Sequence, residues 1–428
     1  MPGTPPAPGT PSLLRVMNDR AALDLLLEHG PLSRTTIGRL TGLSKPTASQ
    51  LLARLESAGL VVATGTAAGR PGPSAQLYAL NPRAAYVGGL DVTPQGITAA
   101  VADVTGEVVG CFALPAAAGT PAVEQVVEAL GGAVKAAGLH HGDLHRVVVA
   151  TPGAFDPRTG RLRYAGHLPG WHSPRLLDEL AAALTLPVEY ENDVNLAAVA
   201  EQRLGAARGH QDFVLLWNED GLGAALVLGG RLHRGWTGGA GEVGFLPVPG
   251  HPLVRQVARA NTGGYQELAG VQVLPRLAAE LGIEAGPERA APPQPPAGGP
   301  QDPAGRPAPG AAQMPHGPEV AAAVALLERA AATPEGPYLR FLESYATALA
   351  TGLASLVAVL DPEIVVLSGA AITAGGDPLR ALLEAEIGEL SPSRPRLVTG
   401  EVRERPVLRG ALESALATTR DEVFDTSR

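Results

Sequence analysis

The sequence predicts an α/β protein with a small, mainly helical head and a larger body of two lobes. Three observations carry this. Residues 13–80 hold three short amphipathic segments followed by two strand-like ones. From residue 85 the pattern changes to β-β-β-α-β. Near residue 212 a second run of strands and helices begins, after a further helix.

The bulk numbers agree. A chain of 428 residues exceeds one compact core, so two or three domains are expected. Hydrophobic residues at 45% and charged residues at 18% suit a soluble globular protein. The net charge of −9 excludes a chain that binds nucleic acid along its whole length. Residues 12–82 carry seven Lys and Arg against four acids, so a net +3 head sits on a −12 remainder, and only the head suits phosphate. With Cys111 as the sole cysteine, an intramolecular disulfide and a Cys-based zinc cluster are both excluded. Residues 1–11 are rich in Pro, Gly and Thr without a basic or apolar leader, and read as a disordered tail. The run at 346–360 falls short of a bilayer span and reads as a buried helix, which implies no membrane and a cytoplasmic protein.

In the head, residues 13–29 put Val16, Leu23, Leu26 and Leu27 on one helical face, and Gly30-Pro31 stops the helix. Ser33 is an N-cap for a short helix at 34–40. Thr41-Gly42-Leu43 is a tight turn. A third helix starts at Ser44, tolerates Pro46 in its first turn, and ends at Gly59, with Ala48, Leu51, Leu52 and Leu55 as its core stripe. Strands at 60–64 and 75–80 flank a Gly/Pro-rich loop. Three helices and a hairpin make a winged helix-turn-helix, expected at 12–82. Its third helix presents Ser44, Lys45, Thr47, Ser49, Gln50 and Arg54, and the wing tip presents Arg70. The helix N-terminus and Lys45 suit phosphate, Thr47, Ser49 and Gln50 suit base edges, and Arg70 suits a minor groove. The plain alternative is a helical bundle for protein contacts, with Arg70 a solvated charge.

In the body, a strand at 187–190 runs into Glu191-Asn192-Asp193-Val194-Asn195-Leu196-Ala197-Ala198, where an Ala-rich helix begins. A strand end meeting a helix start is where α/β folds place ligands. Asp193 there can take a proton, hold hydroxyls or cap the helix. Gly221-Leu222-Gly223 and Gly229-Gly230 mark turns. The glycines of Gly235-Trp236-Thr237-Gly238-Gly239-Ala240-Gly241-Glu242-Val243-Gly244 suggest backbone packed close to a ligand, with turn geometry as the alternative. Residues 284–318 are Pro, Gly, Ala and Gln almost throughout and read as a disordered insertion. Later helices are expected at 319–332, 338–360, 378–387 and 410–417, the last packing back on the first lobe.

The order of elements resembles the two actin-like, ribonuclease-H-type lobes of the sugar kinase superfamily. The motifs above, with Gly229-Gly230-Arg231-Leu232-His233-Arg234-Gly235, resemble the ROK family (repressors, open reading frames, kinases) in order and spacing. The first lobe is expected at 83–208, completed by a C-terminal helix at 407–420, and the second at 209–406. The resemblance implies a sugar site: Asp193 at the position of the kinases' catalytic base, Asn192 and Glu242 on hydroxyls, Gly153 lining the cleft, and Glu267 as a further sugar-binding carboxylate. His167 stands where an Asn is usual before Leu168-Pro169-Gly170-Trp171.

Two departures bear on chemistry. The kinases' D-x-G-G-T phosphate loop reads Asp91-Val92-Thr93-Pro94-Gln95, where Pro94 removes an N–H and the Gly pair is gone. The zinc motif, a His before a C-x-C-G-x-x-G-C cluster, is replaced, with Phe245 in place of the His, so no metal and no cofactor are expected. Packing through Phe245 and Tyr265 is expected to hold what zinc would hold. The expectation is therefore a sugar-responsive regulator, a repressor in the first instance. It would bind double-stranded operator DNA and a monosaccharide or sugar-phosphate effector, as a homodimer or dimer of dimers. The rivals are an ATP-dependent sugar kinase with an appended DNA head, and a constitutive DNA-binding or scaffold protein with a vestigial cleft.

Overall fold

A computed structural model describes residues 11–66, 75–117, 119–156, 175–254, 263–284 and 316–426, with positions 159, 161–163, 168, 170–171 and 173 between them. The tail, the wing tip with Arg70, the loop with His167, residues 255–262 and most of the 284–318 insertion lie outside the described residues.

The head comprises α1 (Pro11–His29), β1 (Leu32–Ser33), α2 (Arg34–Thr41), α3 (Lys45–Ser57), β2 (Val61–Thr66) and β3 (Gln76–Leu80). Its caps form as the sequence suggests. Ser33 Oγ accepts the Thr36 amide at 3.2 Å and Ser44 Oγ that of Thr47 at 3.4 Å. Gly42 and Gly59, at φ 72° and 73°, turn the chain out of α2 and α3 in the left-handed region. β1 was not anticipated, since two residues are too few to show alternation. It pairs with β3, so the wing is a three-stranded sheet in the order β1-β3-β2. Leu23, Leu26, Ile37, Leu51, Leu52 and Leu55 close the head's core.

The first lobe opens with the antiparallel meander β4 (Tyr86–Thr93), β5 (Gly96–Asp103) and β6 (Val108–Pro115). There follow α4 (Ala122–Ala136), β7 (Leu144–Thr151), the short hairpin β8 (Ala154–Asp156) and β9 (Arg161–Arg163), α5 (Leu176–Leu184), β10 (Val188–Asn192) and α6 (Asp193–Leu204). β7 and β10 join in parallel, giving the order β6-β5-β4-β7-β10. α4 and α5 cover one face through Val126, Leu130, Val134 and Leu180.

The second lobe repeats the plan. β11 (Phe213–Asn218), β12 (Leu222–Leu228) and β13 (Arg231–Leu232) form the meander. α7 (Gly264–Ala269), α8 (Leu274–Glu280), α9 (Pro318–Ala332), α10 (Gly336–Leu360), β14 (Ile364–Ser368), α11 (Ala370–Leu390) and β15 (Arg396–Thr399) complete it. The order β13-β12-β11-β14-β15 matches the first lobe strand for strand. α10 is the one described helix long and apolar enough to cross a membrane, yet Phe341, Leu342, Tyr345, Leu349 and Leu353 bury its apolar stripe in this lobe. Tyr265 is fully buried against α10, its hydroxyl donating to Leu349 O at 2.5 Å and its ring lying on Gly352. Of the two aromatic residues expected to pack here, Tyr265 is thus fully buried and Phe245 half-buried.

Two helices differ from expectation. α11 starts eight residues before 378 and bends at Gly376 (φ 55°), which precedes Asp377-Pro378. The last helix, α12 (Pro406–Val423), covers the C-terminal helix expected at 407–420 and extends well past the narrower span 410–417. α6 and α12 lie between the two sheets, where Leu196, Ala197, Leu408, Ala411 and Leu412 share one core with Val148 and Leu215. They approach so closely that a Cβ on Gly410 would sit 1.8 Å from Leu196 O. Beyond this crossing α12 reaches the head, where Phe424 is 1% exposed in the head's own core.

Candidate functional site

The chain order of β10 and α6 sets the centre of the site. β10 delivers Glu191 and Asn192 at its end, and Asp193 is the first residue of α6. The cap is Asn192, not Asp193. Asn192 Oδ1 accepts the Asn195 amide at 3.0 Å, and its Nδ2 donates to Gly153 O at 3.1 Å, joining α6 to the turn after β7. Asp193 accepts the neighbouring Val194 amide through Oδ1 at 2.8 Å and faces a cavity of about 180 Å³. Glu191 holds this arrangement: it accepts the Asn192 amide and Asn195 Nδ2, both at 2.9 Å, and pairs with Arg234 of the second lobe at 2.5 Å.

The cavity lies between the lobes. Asp91, Thr93, Pro94, Gly153, Asn192 and Asp193 line it from the first lobe. From the second come Trp217, Glu219, Asp220, Glu242, Phe245 and Gln266. Val407, at the start of α12, also lines it. Burial, with Glu219 adding repulsion, pushes Asp91 up to about 7. Burial alone brings Glu242 to about 7. Asp193 stands well above the usual carboxylate range, first because it is desolvated and then because Asp91, Glu242 and Glu219 repel its charge. Among the described residues, no group of three or more His, Cys, Asp or Glu is placed to hold a metal ion.

Of the sugar residues expected from sequence, Gly153, Asn192, Asp193 and Glu242 come together here. Glu267 does not: its Oε2 accepts the Gly263 amide at 2.7 Å and caps α7. Gln266, one position earlier, faces the cavity instead, its Oε1 accepting the Leu222 amide at 2.7 Å. Gly238, Gly241 and Gly244 line the same cavity. A Cβ on Gly238 would meet Phe155 O at 2.1 Å, and one on Gly241 would meet Ala224 O at 1.9 Å. At φ 79° and 93° the two also admit close chain crossings within the protein. Asp91 and Glu219 were not singled out as site residues. Their signal was a carboxylate at or beside the end of a buried strand, as in Leu90-Asp91 and Asn218-Glu219.

A second recess of about 370 Å³ adjoins the first, lined by Thr93, Gln95, Glu219, Ser368, Gly369, Arg403 and Arg405. The Pro94–Gln95 turn closes a two-residue hairpin between the paired Thr93 and Gly96. Gly317 lies against it, its Cβ position 3.1 Å from Gln95 Nε2. Beside it, His316 Nδ1 meets Glu219 at 2.9 Å, and that hydrogen bond raises the imidazole's pKa.

On the head, Ser44, Lys45, Thr47 and Gln50 are exposed. Ser44 and Thr47 hydroxyls share a bond of 2.8 Å. Ser49 Oγ donates to Lys45 O at 2.8 Å and accepts from Arg34 at 3.2 Å. Arg34 thus joins the surface, a residue the sequence reading passed over. Arg54 leaves it: its guanidinium bonds Asp19, 1% exposed, at 2.5 Å. Asp19 also accepts from Thr426 at 3.1 Å, and Arg20 pairs with Asp421 at 2.8 Å. Arg54 therefore belongs to the junction of head and body.

Residues 87–267 match the model of the ROK family, and residues 18–70 that of the MarR family. Residues 87–267 therefore form a ROK-family region, preceded by a MarR-type winged helix-turn-helix region. The chain is 29% identical to the glucokinase of Streptomyces coelicolor over 203 residues, 47% of this chain and 61% of that one. It is 22% identical to the xylose repressor of Bacillus subtilis over 239 residues, 55% and 62% of the respective chains. The chain thus spans less than two thirds of the length of these relatives. Among solved structures, a ROK family transcriptional regulator, homolog of the E. coli MLC protein, superimposes over 96% of this chain and 99% of its own. The TM-score is 0.64 and the identity 19%, a likeness of fold.

Proposed function

We propose that this ROK protein is a sugar-responsive transcriptional regulator, a repressor in the first instance, without catalytic turnover. The winged helix binds palindromic operator DNA, Lys45 and the α3 N-terminus on phosphate and Thr47, Ser49 and Gln50 toward base edges. Two chains act as a homodimer or a dimer of dimers, in the cytoplasm. A monosaccharide enters the inter-lobe cavity and donates hydroxyls to Asp193 and Glu242, while Asn192 is already fixed by its cap. Lobe closure around the sugar moves α12, whose first turn borders the cavity and whose end is anchored in the head.

The observation that carries this reading is the union of a winged helix with a ROK body whose phosphate turn is a closed Pro94–Gln95 hairpin. Phosphoryl transfer needs backbone amides and a metal around the γ-phosphate. Pro94 has no N–H to offer. The family resemblance of the relatives named as xylose repressors supports the same side.

The test is binding of a labelled operator fragment at fixed salt, with and without a monosaccharide panel. Release of DNA by one sugar is expected. ATP- and Mg²⁺-dependent phosphorylation of a sugar, lost in Asp193→Asn, overturns the reading in favour of a kinase.

A further inference from the structure

Glu191 divides its carboxylate between the two lobes. Oε1 accepts the Asn192 amide and Asn195 Nδ2, both at 2.9 Å, and so fixes the start of α6 in the first lobe. Oε2 accepts Arg234 Nε of the second lobe at 2.5 Å. Neither Glu191 nor Arg234 lines the cavity. Arg234 opens a turn that the Ala240 amide closes on Arg234 O at 3.1 Å. At the far end of that turn, Gly241 O accepts the Ala224 amide of β12 at 2.9 Å, and Glu242 follows on the cavity wall. Midway, Gly238 rests on the Phe155 carbonyl of the first lobe. The Phe155 ring stacks on Tyr190, the residue before Glu191, with centroids 5.6 Å apart. One turn of the second lobe thus bears on the first at two points, and it runs from the ion pair to Glu242. The side chain of Arg234 is 57% exposed and that of Glu191 12%. A pair this open to water shifts a two-state balance by no more than about fivefold. That is too little to hold the fold together and enough to bias two lobes between closed and open.

We propose that Arg234 and Glu191 form a clasp between the lobes that sets the spacing of Asp193 and Glu242. Arg234 is then a positioning residue for the sugar without touching it, a role that rests on the sensor reading above. Because the clasp lies at the surface, sugar affinity depends on ionic strength even when the sugar carries no charge.

The experiment titrates the full chain with D-glucose, D-xylose, D-mannose and D-galactose by calorimetry. For a sugar that binds, Arg234→Ala is expected to weaken affinity about three- to fivefold, and Arg234→Lys to keep most of it. Raising salt from about 0.05 M to about 0.5 M weakens binding to the unaltered chain and leaves Arg234→Ala unmoved. Glu191→Gln and Arg234→Ala combined lose less than the sum of the two single changes, because both break one contact. Circular dichroism and melting temperature verify that each variant folds. Sugar affinity that Arg234→Ala leaves unchanged overturns the clasp and leaves the sensor reading standing. So does a loss that Arg234→Lys shares in full, or a salt dependence that Arg234→Ala retains. Binding of none of the four sugars to the unaltered chain overturns the sensor reading and the clasp together.

Discussion

Asp193 carries the chemistry of the cavity while a neighbour does the structural work. Because Asn192 caps α6, replacing Asp193 does not unfold the helix start. Asp193→Asn is expected to raise the melting temperature of the ligand-free protein near neutral pH, since burial disfavours ionisation of a carboxyl that ionises freely in the unfolded chain. The same change weakens sugar binding about tenfold or more, because a charged acceptor is lost. Calorimetry and thermal denaturation of one sample read both. The pH response follows from Asp91 and Glu242, which stand at about 7 against ordinary values of 3.8 and 4.5. Between about pH 4 and 7 the native state binds more protons than the unfolded chain, so stability falls as pH rises through that window. The contribution of these two acids is complete below about pH 4 and gone above about pH 7. Melting temperature is expected to drop from pH 6 to pH 8, and less steeply in Asp91→Asn. Asn192 and Asp193 were legible from sequence because polar residues at a strand end stand out against an apolar strand, whereas Gly153 came with the family resemblance. Gln266 lines the cavity where Glu267 was expected, since neighbours on a short helix point about 100° apart and only the fold shows which faces in. Arg54 looked outward because its partner, Asp19, is 35 positions away.

At the scale of elements, close approach decides more than composition. The crossing of α6 and α12 depends on Gly410, where any Cβ meets the Leu196 carbonyl. Gly410→Ala adds helix propensity, worth up to about 1 kcal/mol, yet overpacking costs about 1–3 kcal/mol, so a net loss is expected in urea unfolding. Gly241→Ala is expected to lower stability as well, since its left-handed backbone and the Ala224 carbonyl both resist a side chain. The head's helices were readable because caps and apolar spacing coincide at Ser33 and Ser44. The end of α12 beyond residue 420 was not. Arg409, Glu413 and Arg420 interrupt its apolar spacing, and their roles appear only with the partners in place, as when Arg420 Nε donates to Val104 O at 2.9 Å.

The whole molecule is organised along α12, which borders the cavity at Val407 and ends at the head with Phe424. Phe424→Ala is expected to destabilise the head by about 3–5 kcal/mol and abolish operator binding, while sugar binding in the cleft persists. Anisotropy and calorimetry separate the two effects. Arg20→Ala, which removes the Asp421 pair, is expected to leave operator affinity within about threefold and reduce its response to sugar, an exposed ion pair being worth under about 1 kcal/mol. The anchoring of Phe424 also bears on synthesis. Asp19 and its partner Thr426 are 407 positions apart. At ~5–20 residues per second the ribosome needs roughly 20–80 s to cover that distance. Through that interval the emerging DNA head lacks a core side chain and the tie on Asp19. A prematurely terminated chain is therefore expected to yield an inert head rather than an unregulated one, so that occupancy of the operator reports only on chains translated through to α12.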